Sequence, residues 1–281
     1  DITLPSSVRE IGENAFHSCN KLPSVDLSNI QTLKAGAFAG CFQLENVAIP
    51  EDWEVLKDNV FSACTSFTEI QLPKNLKKIG ARAFNGCTNL TEIIIPESVT
   101  TIGDEAFRGC NGLTQMTLPD GVSELGKGVF RKCINLTNIV LPAGITELKE
   151  SSFLDCTQLK NVLIKCQITT IGGGAFSGCE ALETITLPYT LTHLGLRGFT
   201  GCSSLSRIYF KGNTPLVTFM QPPQYPPIPE TVFSEPYPTL YYLEGTTGWA
   251  GEYLADQFGN FTEGEEPPSG TVIIFPGLEI G

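Results

Sequence analysis

The sequence is poor in the residue types that most catalytic and metal sites require. It has two histidines among 281 residues, His17 and His193, and no C-x-x-C pair among its ten cysteines. Ser-His-Asp and Cys-His hydrolases and structural zinc sites need such side chains to converge. Glycine motifs for dinucleotides or phosphates are missing as well. These absences argue against an enzyme and against any metal or organic cofactor.

Long hydrophobic runs and positive charge are also scarce. No run approaches the roughly 18–20 apolar residues of a membrane-spanning helix, and the chain opens without a basic signal segment. The net charge is −12, from 18 basic and 30 acidic side chains, and residues 211–281 hold nine of the acidic ones and one basic one. Phosphate backbones and anionic lipids would repel such a chain, so we expect no nucleic-acid partner. We expect a monomer and further chain upstream of Asp1.

The dominant feature of the sequence is a repeat. Phenylalanine recurs at a stride of twenty-two positions once and of twenty-three positions thereafter, and a cysteine follows each copy at the third position. The nine pairs are Phe16/Cys19, Phe38/Cys41, Phe61/Cys64, Phe84/Cys87, Phe107/Cys110, Phe130/Cys133, Phe153/Cys156, Phe176/Cys179 and Phe199/Cys202. A period of this length indicates a solenoid, in which each unit buries its apolar face only against its neighbours.

Each unit contains three apolar groups. The first, such as Leu90, Ile93 and Ile95, has the pattern L-x-x-I-x-I, whose last two members alternate as in a strand, and a proline usually ends it. The second group, V-x-x-I, suits another short strand. The third, "AF-x-x-C", has the spacing of a 3-10 turn or a one-turn helix. The prediction is an α/β repeat solenoid with parallel strands.

A glycine often follows the second group, but Lys34, Lys57 and Lys149 replace it in three units. Because a position that needs positive φ tolerates lysine badly, we interpret this glycine as a preferred turn residue.

The cysteines are predicted to be structural. Nine of the ten belong to the repeat, where their side chains would point in parallel and would not converge on a metal or on one another. We therefore interpret them as small buried hydrophobic residues. Cys166 stands outside the repeat, in "IKCQIT", and is predicted to be a surface or edge thiol.

Other candidate catalytic groups are isolated. The two histidines lie eight units apart and are predicted to face solvent. Carboxylate pairs such as Glu51/Asp52 and Asp104/Glu105 fall at turns and predicted helix starts, where acidic side chains favour a helix N-terminus.

The outward face of the first strand group is the candidate binding surface. The residues before and after each central aliphatic residue point away from the core. This row is mostly polar and uncharged, with Ile94, Val140 and Leu163 exposed in its middle. The candidate ligand contacts are Glu69, Gln71, Glu92, Ile94, Gln115, Thr117, Asn138, Val140, Asn161, Leu163, Thr184, Thr186, Arg207 and Tyr209. An ordinary sheet surface without a ligand is the alternative.

The repeat motif is not recognised in the sequence beyond residue 210. We predict a solenoid of nine units over 1–210, an aromatic and proline-rich C-terminal cap over 211–262, and an acidic linker with a strand-like tail over 263–281. Cap aromatics would cover the last apolar layer. Tyr225 and Tyr237 are expected to be exposed, and a carbohydrate-binding module built on such aromatics is the alternative.

The motif "LP-x-x-V-x-x-IG-x-x-AF-x-GC-x-x-L-x-x-I" over residues 2–210 resembles the BspA-like, treponemal-type class of leucine-rich repeats. The resemblance implies a curved, right-handed solenoid with its strands on the concave face and short strands or one-turn helices on the convex side. It also implies a bacterial protein, secreted or anchored in the outer membrane at the cell surface, of a class that includes adhesins. The family motif is structural and transfers no catalytic or ligand residue.

The expected function is therefore adhesin-like binding through the concave face. The ligand would be a host matrix protein or a bacterial surface protein, with a glycan as a further option. A spacer or scaffold that binds nothing remains an alternative, as does the carbohydrate-binding module.

Overall fold

The structure, a computed structural model, describes residues 2–213, 215–218, 232–234 and 238–242. These residues form twenty short strands, numbered β1 to β20 in chain order. The even-numbered strands coincide with the L-x-x-I-x-I pattern or its equivalent and are Ser24–Asp26 (β2), Asn46–Ala48 (β4), Glu69–Ile70 (β6), Glu92–Ile93 (β8), Gln115–Thr117 (β10), Asn138–Leu141 (β12), Asn161–Ile164 (β14), Thr184–Leu187 (β16), Arg207–Phe210 (β18) and Thr239–Tyr242 (β20). The odd-numbered strands coincide with the second apolar group or its equivalent and are Glu10–Ile11 (β1), Thr32–Leu33 (β3), Val55–Leu56 (β5), Lys78–Ile79 (β7), Thr101–Ile102 (β9), Glu124–Leu125 (β11), Glu147–Leu148 (β13), Thr170–Ile171 (β15), His193–Gly195 (β17) and Leu216–Thr218 (β19).

Each paired strand lies parallel to the equivalent strand of an adjacent turn. The even-numbered strands pair as β2–β4, β6–β8, β10–β12–β14 and β16–β18–β20, and the odd-numbered strands as β1–β3, β5–β7–β9–β11 and β13–β15–β17–β19. The repeat period sets the register, since Val140 pairs with Leu163, its equivalent exactly one repeat later in the chain. The predicted solenoid of parallel strands is confirmed.

The core is a column of like side chains. Phenylalanine rings of successive turns stack from Phe16 to Phe199 and then onto Phe233, with centroids 5.2 to 6.0 Å apart and interplanar angles of 3° to 24°. The aliphatic residues of both strand sets fill the space beside the rings, as Met116 and Leu125 do. Each layer thus buries its apolar surface against the layers above and below.

The "AF-x-x-C" segments form tight turns, so the prediction of one-turn helices is wrong. The N–H groups of Arg82, Phe84 and Gly86 donate to carbonyl oxygens of the next turn at 2.7 to 2.9 Å. Those of Asn85 and Cys87 donate three residues back within their own turn. In an α-helix, the N–H groups beyond the first turn donate four residues back within the same segment and not to a neighbouring turn, and none of the described residues is helical. We call the outer face of these segments the turn wall.

Backbone conformation explains why no helix forms there. In each of the nine turns, the residues two before and two after the ladder phenylalanine have positive φ. Eight of these eighteen residues are glycines, whereas ten carry side chains, among them Ala63 and Lys132. Right-handed helical geometry needs negative φ throughout, so two left-handed residues four positions apart exclude it.

The glycine after the second strand group serves close packing. Gly126 and Gly195 lie outside the left-handed region, but a Cβ on them would come within 2.2 Å of the Asp104 nitrogen and 2.3 Å of the Gly173 nitrogen. Both atoms belong to the backbone of the preceding turn. The glycine is therefore preferred at these turns for close packing, and it is not obligatory, since Lys34, Lys57 and Lys149 occupy the position elsewhere.

The described residues beyond 210 add a tenth turn to the stack. Strand β19 pairs with β17, β20 pairs with β18, and Phe233 stacks on Phe199 with a centroid separation of 5.6 Å. The step along the chain from Phe199 to Phe233 exceeds the repeat period by eleven positions. These residues lie in the range predicted as a cap and cover the ninth layer. Tyr225, Tyr237 and the predicted tail 263–281 lie outside the described residues.

Cys166 is buried, with 2% of its surface exposed, so the prediction of a surface or edge thiol is wrong. Lys165 stands where most units have the strand-ending proline, and its N–H donates to the carbonyl of Leu141 at 3.3 Å. This bond prolongs the pairing of β14 with β12 by one residue. Because side chains alternate along an extended strand, Cys166 then faces the core.

Candidate functional site

The outward face of the even-numbered strands is a continuous surface, which we call the strand wall. All fourteen predicted contact residues lie on it and are exposed or half-buried. They form two columns, one on either side of the central aliphatic residue of each turn, and Gln71 and Ile94 directly follow strands β6 and β8. The first column is Glu69, Glu92, Gln115, Asn138, Asn161, Thr184 and Arg207. The second column is Gln71, Ile94, Thr117, Val140, Leu163, Thr186 and Tyr209.

The second column is largely apolar in its middle. Ile94 is 74% exposed and Leu163 is 50% exposed, which is unusual for aliphatic side chains of this size, and Val140 between them is half-buried. Thr117, Val140 and Leu163 pair directly in register across β10, β12 and β14. At about 4.8 Å per turn, the stretch from Ile94 to Leu163 is about 14 Å long. The wall therefore carries a narrow apolar stripe open to solvent.

The first column is polar and partly hydrogen-bonded along its length. The side-chain amide of Asn161 donates to Oδ1 of Asn138 at 2.7 Å. Glu69 and Glu92 face each other in register between β6 and β8, and Arg207 stands in β18, five turns further on. The column is thus negative at one end, neutral in the middle and positive at the other end.

The candidate catalytic groups do not converge among the described residues. Nδ1 of His17 lies 2.9 Å from the Ser18 hydroxyl, and Nδ1 of His193 lies 2.9 Å from the Thr192 hydroxyl. His17 is exposed, as predicted, and His193 is half-buried within β17. No group of three metal-ligating side chains comes together in the described ranges.

The carboxylate pairs bridge adjacent turns and do not cap helices. Oδ1 of Asp104 accepts the N–H of Lys127 at 2.8 Å, and Glu51 accepts the N–H of Lys74 at 3.1 Å. Glu105 forms ion pairs at the turn wall. The predicted role at helix N-termini is wrong because the segments are not helical.

The repeat matches a family model. The model of the BspA type leucine-rich repeat region, which holds six copies of the repeat, matches residues 1–114 and 77–206. The chain belongs to the BspA-type leucine-rich repeat family. No curated protein matches it.

Solved structures of leucine-rich repeat proteins resemble this BspA-type chain. One from Bacteroides ovatus ATCC 8483 aligns with a TM-score of 0.63 and 31% identity over 78% of this chain and 61% of its own. One from Eubacterium ventriosum ATCC 27560 aligns with a TM-score of 0.60 and 23% identity, covering 81% of this chain and 67% of that one, and shows the fold alone. The TpLRR protein of T. pallidum aligns with a TM-score of 0.46 and 29% identity, covering 62% of this chain and 71% of that one. The chain thus spans 61% of the length of the Bacteroides ovatus protein.

The cysteines of the BspA-type repeat are structural hydrogen-bond donors. All ten cysteines are free, and in eight of the nine repeat units, from Cys41 to Cys202, the thiol donates to the phenylalanine carbonyl of the preceding turn at 3.0 to 3.3 Å. Burial raises the pKa of Cys133 to about 12 and that of Cys166 to about 11. Neutral, buried thiols of this kind are poor nucleophiles and poor metal ligands.

Sequence reasoning missed the strand that follows β18 in the same sheet. Tyr241 in β20 pairs in register with Tyr209, although the repeat motif is not readable around it. The eleven additional positions before Phe233 hide the period. The signal that could have found this strand is the resemblance of "TLYY" to "RIYF" in β18.

Proposed function

We propose that this chain is a bacterial cell-surface or secreted binding protein that holds a protein ligand on its strand wall. The observation that carries the proposal is the apolar stripe of Ile94, Val140 and Leu163 on a surface that is otherwise polar. Covering an exposed aliphatic side chain contributes roughly 1.5–3 kcal/mol when its burial is complete. Three such residues on one short stretch of the wall supply the apolar centre of a modest protein interface.

The surroundings of the stripe suit a protein partner. The first column supplies amides and hydroxyls, from Gln115 to Thr184, that can hydrogen-bond to a polar rim. Because a protein interface is an apolar centre surrounded by polar contacts, the two columns together have the required composition.

The scaffold also supports binding through its rigidity. Val140 and Leu163 stand on strands paired in register, and Ile94 directly follows β8, which is paired with β6, so few degrees of freedom are lost when a ligand docks. The stripe is long and narrow, which favours an extended ligand segment that crosses several turns.

Bacterial origin and an extracellular location are parts of the same proposal. They rest on membership of the BspA-type family and on the similarity to a protein of Bacteroides ovatus. Among the described residues, no helix has both the length and the apolar character of a membrane span.

A substitution series tests the site. The chain would first be screened against immobilised extracellular-matrix proteins and bacterial surface proteins, with a glycan array in parallel. The triple variant Ile94→Ser, Val140→Ser, Leu163→Ser should then weaken the binding found by about 10- to 100-fold, because it removes the apolar centre.

The matched control is the triple variant Phe42→Ser, Val55→Ser, Ile134→Ser. These side chains are 45%, 38% and 39% exposed and lie off the strand wall. The control should bind like the unaltered chain. Equal binding by both triple variants contradicts the assignment of the site, and binding to the glycan array alone contradicts a protein ligand.

A further inference from the structure

The turn wall carries a cluster of positive charge that the proposed function does not use. Arg82, Arg108, Lys127, Arg131 and Lys132 belong to three consecutive turns of this wall. The carboxylates on the same turns and the next are Asp104, Glu105, Glu150 and Asp155, so the local balance is one positive charge in a chain whose net charge is −12.

The fifth turn shows how an arginine is paired on this wall. Arg108 follows the ladder phenylalanine directly, and its guanidinium lies 3.2 Å from Glu105, three residues earlier. The other oxygen of Glu105 lies 2.6 Å from Nε of Arg82 in the fourth turn. The Glu105 side chain is 15% exposed, so one sheltered carboxylate serves two guanidinium groups.

The sixth turn has the same arginine without the carboxylate. Arg131 occupies the position of Arg108, but Gly128 occupies the position of Glu105. A Cβ on Gly128 would lie 3.6 Å from Cβ and 3.9 Å from Cδ of Arg131, so the arginine stem lies over this glycine. Nε of Arg131 is buried and has no hydrogen-bond partner within the described residues. A buried guanidinium nitrogen without an acceptor is costly, so the hydrogen-bonding capacity of Arg131 is not fully met by the described residues.

The charged side chains nearest to Arg131 include Glu105, Lys127 and Lys132. Glu105, which lies 3.4 Å from the position of a Cβ on Gly128, is already engaged by Arg82 and Arg108. Lys127 pairs with Glu150 at 3.5 Å, with 59% of its side chain exposed. Lys132 is exposed and follows Arg131 directly.

We propose that Arg131, with Arg108 and Lys132 beside it, binds a sulfate or phosphate group of an anionic glycan. The planar fork of a guanidinium matches the oxygens of such groups. The three turns span roughly 10 Å, which suits two or three anionic groups of a short glycan segment.

A restored carboxylate gives the sharpest test. Gly128→Glu copies the arrangement of the fifth turn. The nearest neighbours of a Cβ at Gly128 would be 3.4 Å or more away, and the backbone strain of a side chain at positive φ is the same in the control variant described below. The φ of 58° at Gly128 is close to the 53° of Glu105, which already carries a side chain in this conformation. The matched control Gly128→Gln has the same size and no charge.

The measurement is fluorescence anisotropy of a fluorescein-labelled, heparin-derived hexasaccharide at 50 mM NaCl. Gly128→Glu and Arg131→Ala should each weaken binding at least tenfold, whereas Gly128→Gln and Lys74→Ala should stay within threefold of the unaltered chain. Raising the salt to 200 mM should weaken binding further. The strand-wall triple variant should bind the hexasaccharide normally, so this site stands or falls independently of the proposed function.

Competition experiments identify the kind of polymer that carries the anionic group. Competition by poly(glycerol phosphate) and by the sulfated hexasaccharide distinguishes phosphate from sulfate polymers. Equal binding of a desulfated hexasaccharide, equal losses in Gly128→Glu and Gly128→Gln, or tighter binding of a twelve-nucleotide DNA would each overturn the proposal. Melting temperatures within 3 °C of the unaltered chain confirm that the variants are folded.

Discussion

The columns inside the stack repeat one residue, whereas the columns on the strand wall change from turn to turn. The inner column is phenylalanine in all ten turns, and the ladder cysteine stands beside it in nine. The second column of the wall runs from Gln71 through Ile94 and Leu163 to Tyr209 over the same turns. The identical residues of the inner columns allow successive turns to stack in the same way. The varying residues of the strand wall are the ones that can select one ligand over another. Three experiments test or sharpen this comparison.

The largest effect should come from alkaline pH, which acts on the whole cysteine column. Burial raises the pKa of Cys133 from 9.0 to about 12 and acts in the same direction on the other buried ladder thiols. The unfolded chain therefore releases these protons first as the pH rises. The titration of these thiols does not lower the free energy of unfolding below about pH 9. Above that pH, each thiol lowers it by up to about 1.4 kcal/mol for every pH unit.

Eight such thiols together remove on the order of 10 kcal/mol by about pH 10, which is comparable to the whole stability of a typical domain. Urea unfolding followed by circular dichroism between pH 7 and pH 10 measures this slope. Lysine and tyrosine titrate in the same range, so the control is Cys133→Ala, which should lower the slope by about 1.4 kcal/mol per pH unit. An unchanged slope in that variant contradicts the role of the thiols.

The second effect compares one inner ring with one surface ring. Phe130 is completely buried between Phe107 and Phe153, with centroids at 5.7 and 5.5 Å. Phe130→Ala should lower the free energy of unfolding by about 3–5 kcal/mol, because it leaves a cavity in the middle of the column. Phe42 is 45% exposed, and Phe42→Ala should cost less than about 1 kcal/mol. If urea unfolding shows similar losses of stability for Phe130→Ala and Phe42→Ala, the proposed difference between the inner column and the surface is contradicted.

The inner columns made the fold predictable. Strands, register and the burial of the ladder phenylalanines follow from one period, because congruent units stack only when equivalent residues meet. The strand wall was predictable for the same reason, since alternation along a strand decides which side chains leave the core. Contact of those residues with a ligand stays a prediction.

Local geometry between the strands was not predictable in the same way. The spacing of Phe84 and Cys87 suits a helix, but every second N–H group of that segment donates a hydrogen bond to a carbonyl oxygen of the next turn. Cys166 became buried because a lysine replaced a proline and prolonged a strand. Both outcomes depend on the neighbouring turn, which a pattern within one unit does not reveal. The tenth turn was hidden by an insertion, although its stacking partner Phe233 repeats the rule of the column.

The smallest effect concerns positions where the backbone conformation repeats but the residue does not. Ala63 has φ of 57°, in a column whose member in the next turn is Gly86 with φ of 74°. A left-handed alanine is strained relative to glycine, so Ala63→Gly should raise the free energy of unfolding by about 0.5–1 kcal/mol, in spite of the greater flexibility of the unfolded chain. Ala143→Gly is the control, because Ala143 is exposed and is not among the residues with positive φ, and it should be neutral or slightly destabilising. If urea unfolding shows no higher free energy of unfolding for Ala63→Gly than for Ala143→Gly, strain at these positions does not limit stability. The side chains at these positions of the turn wall can then vary for binding without a cost in stability.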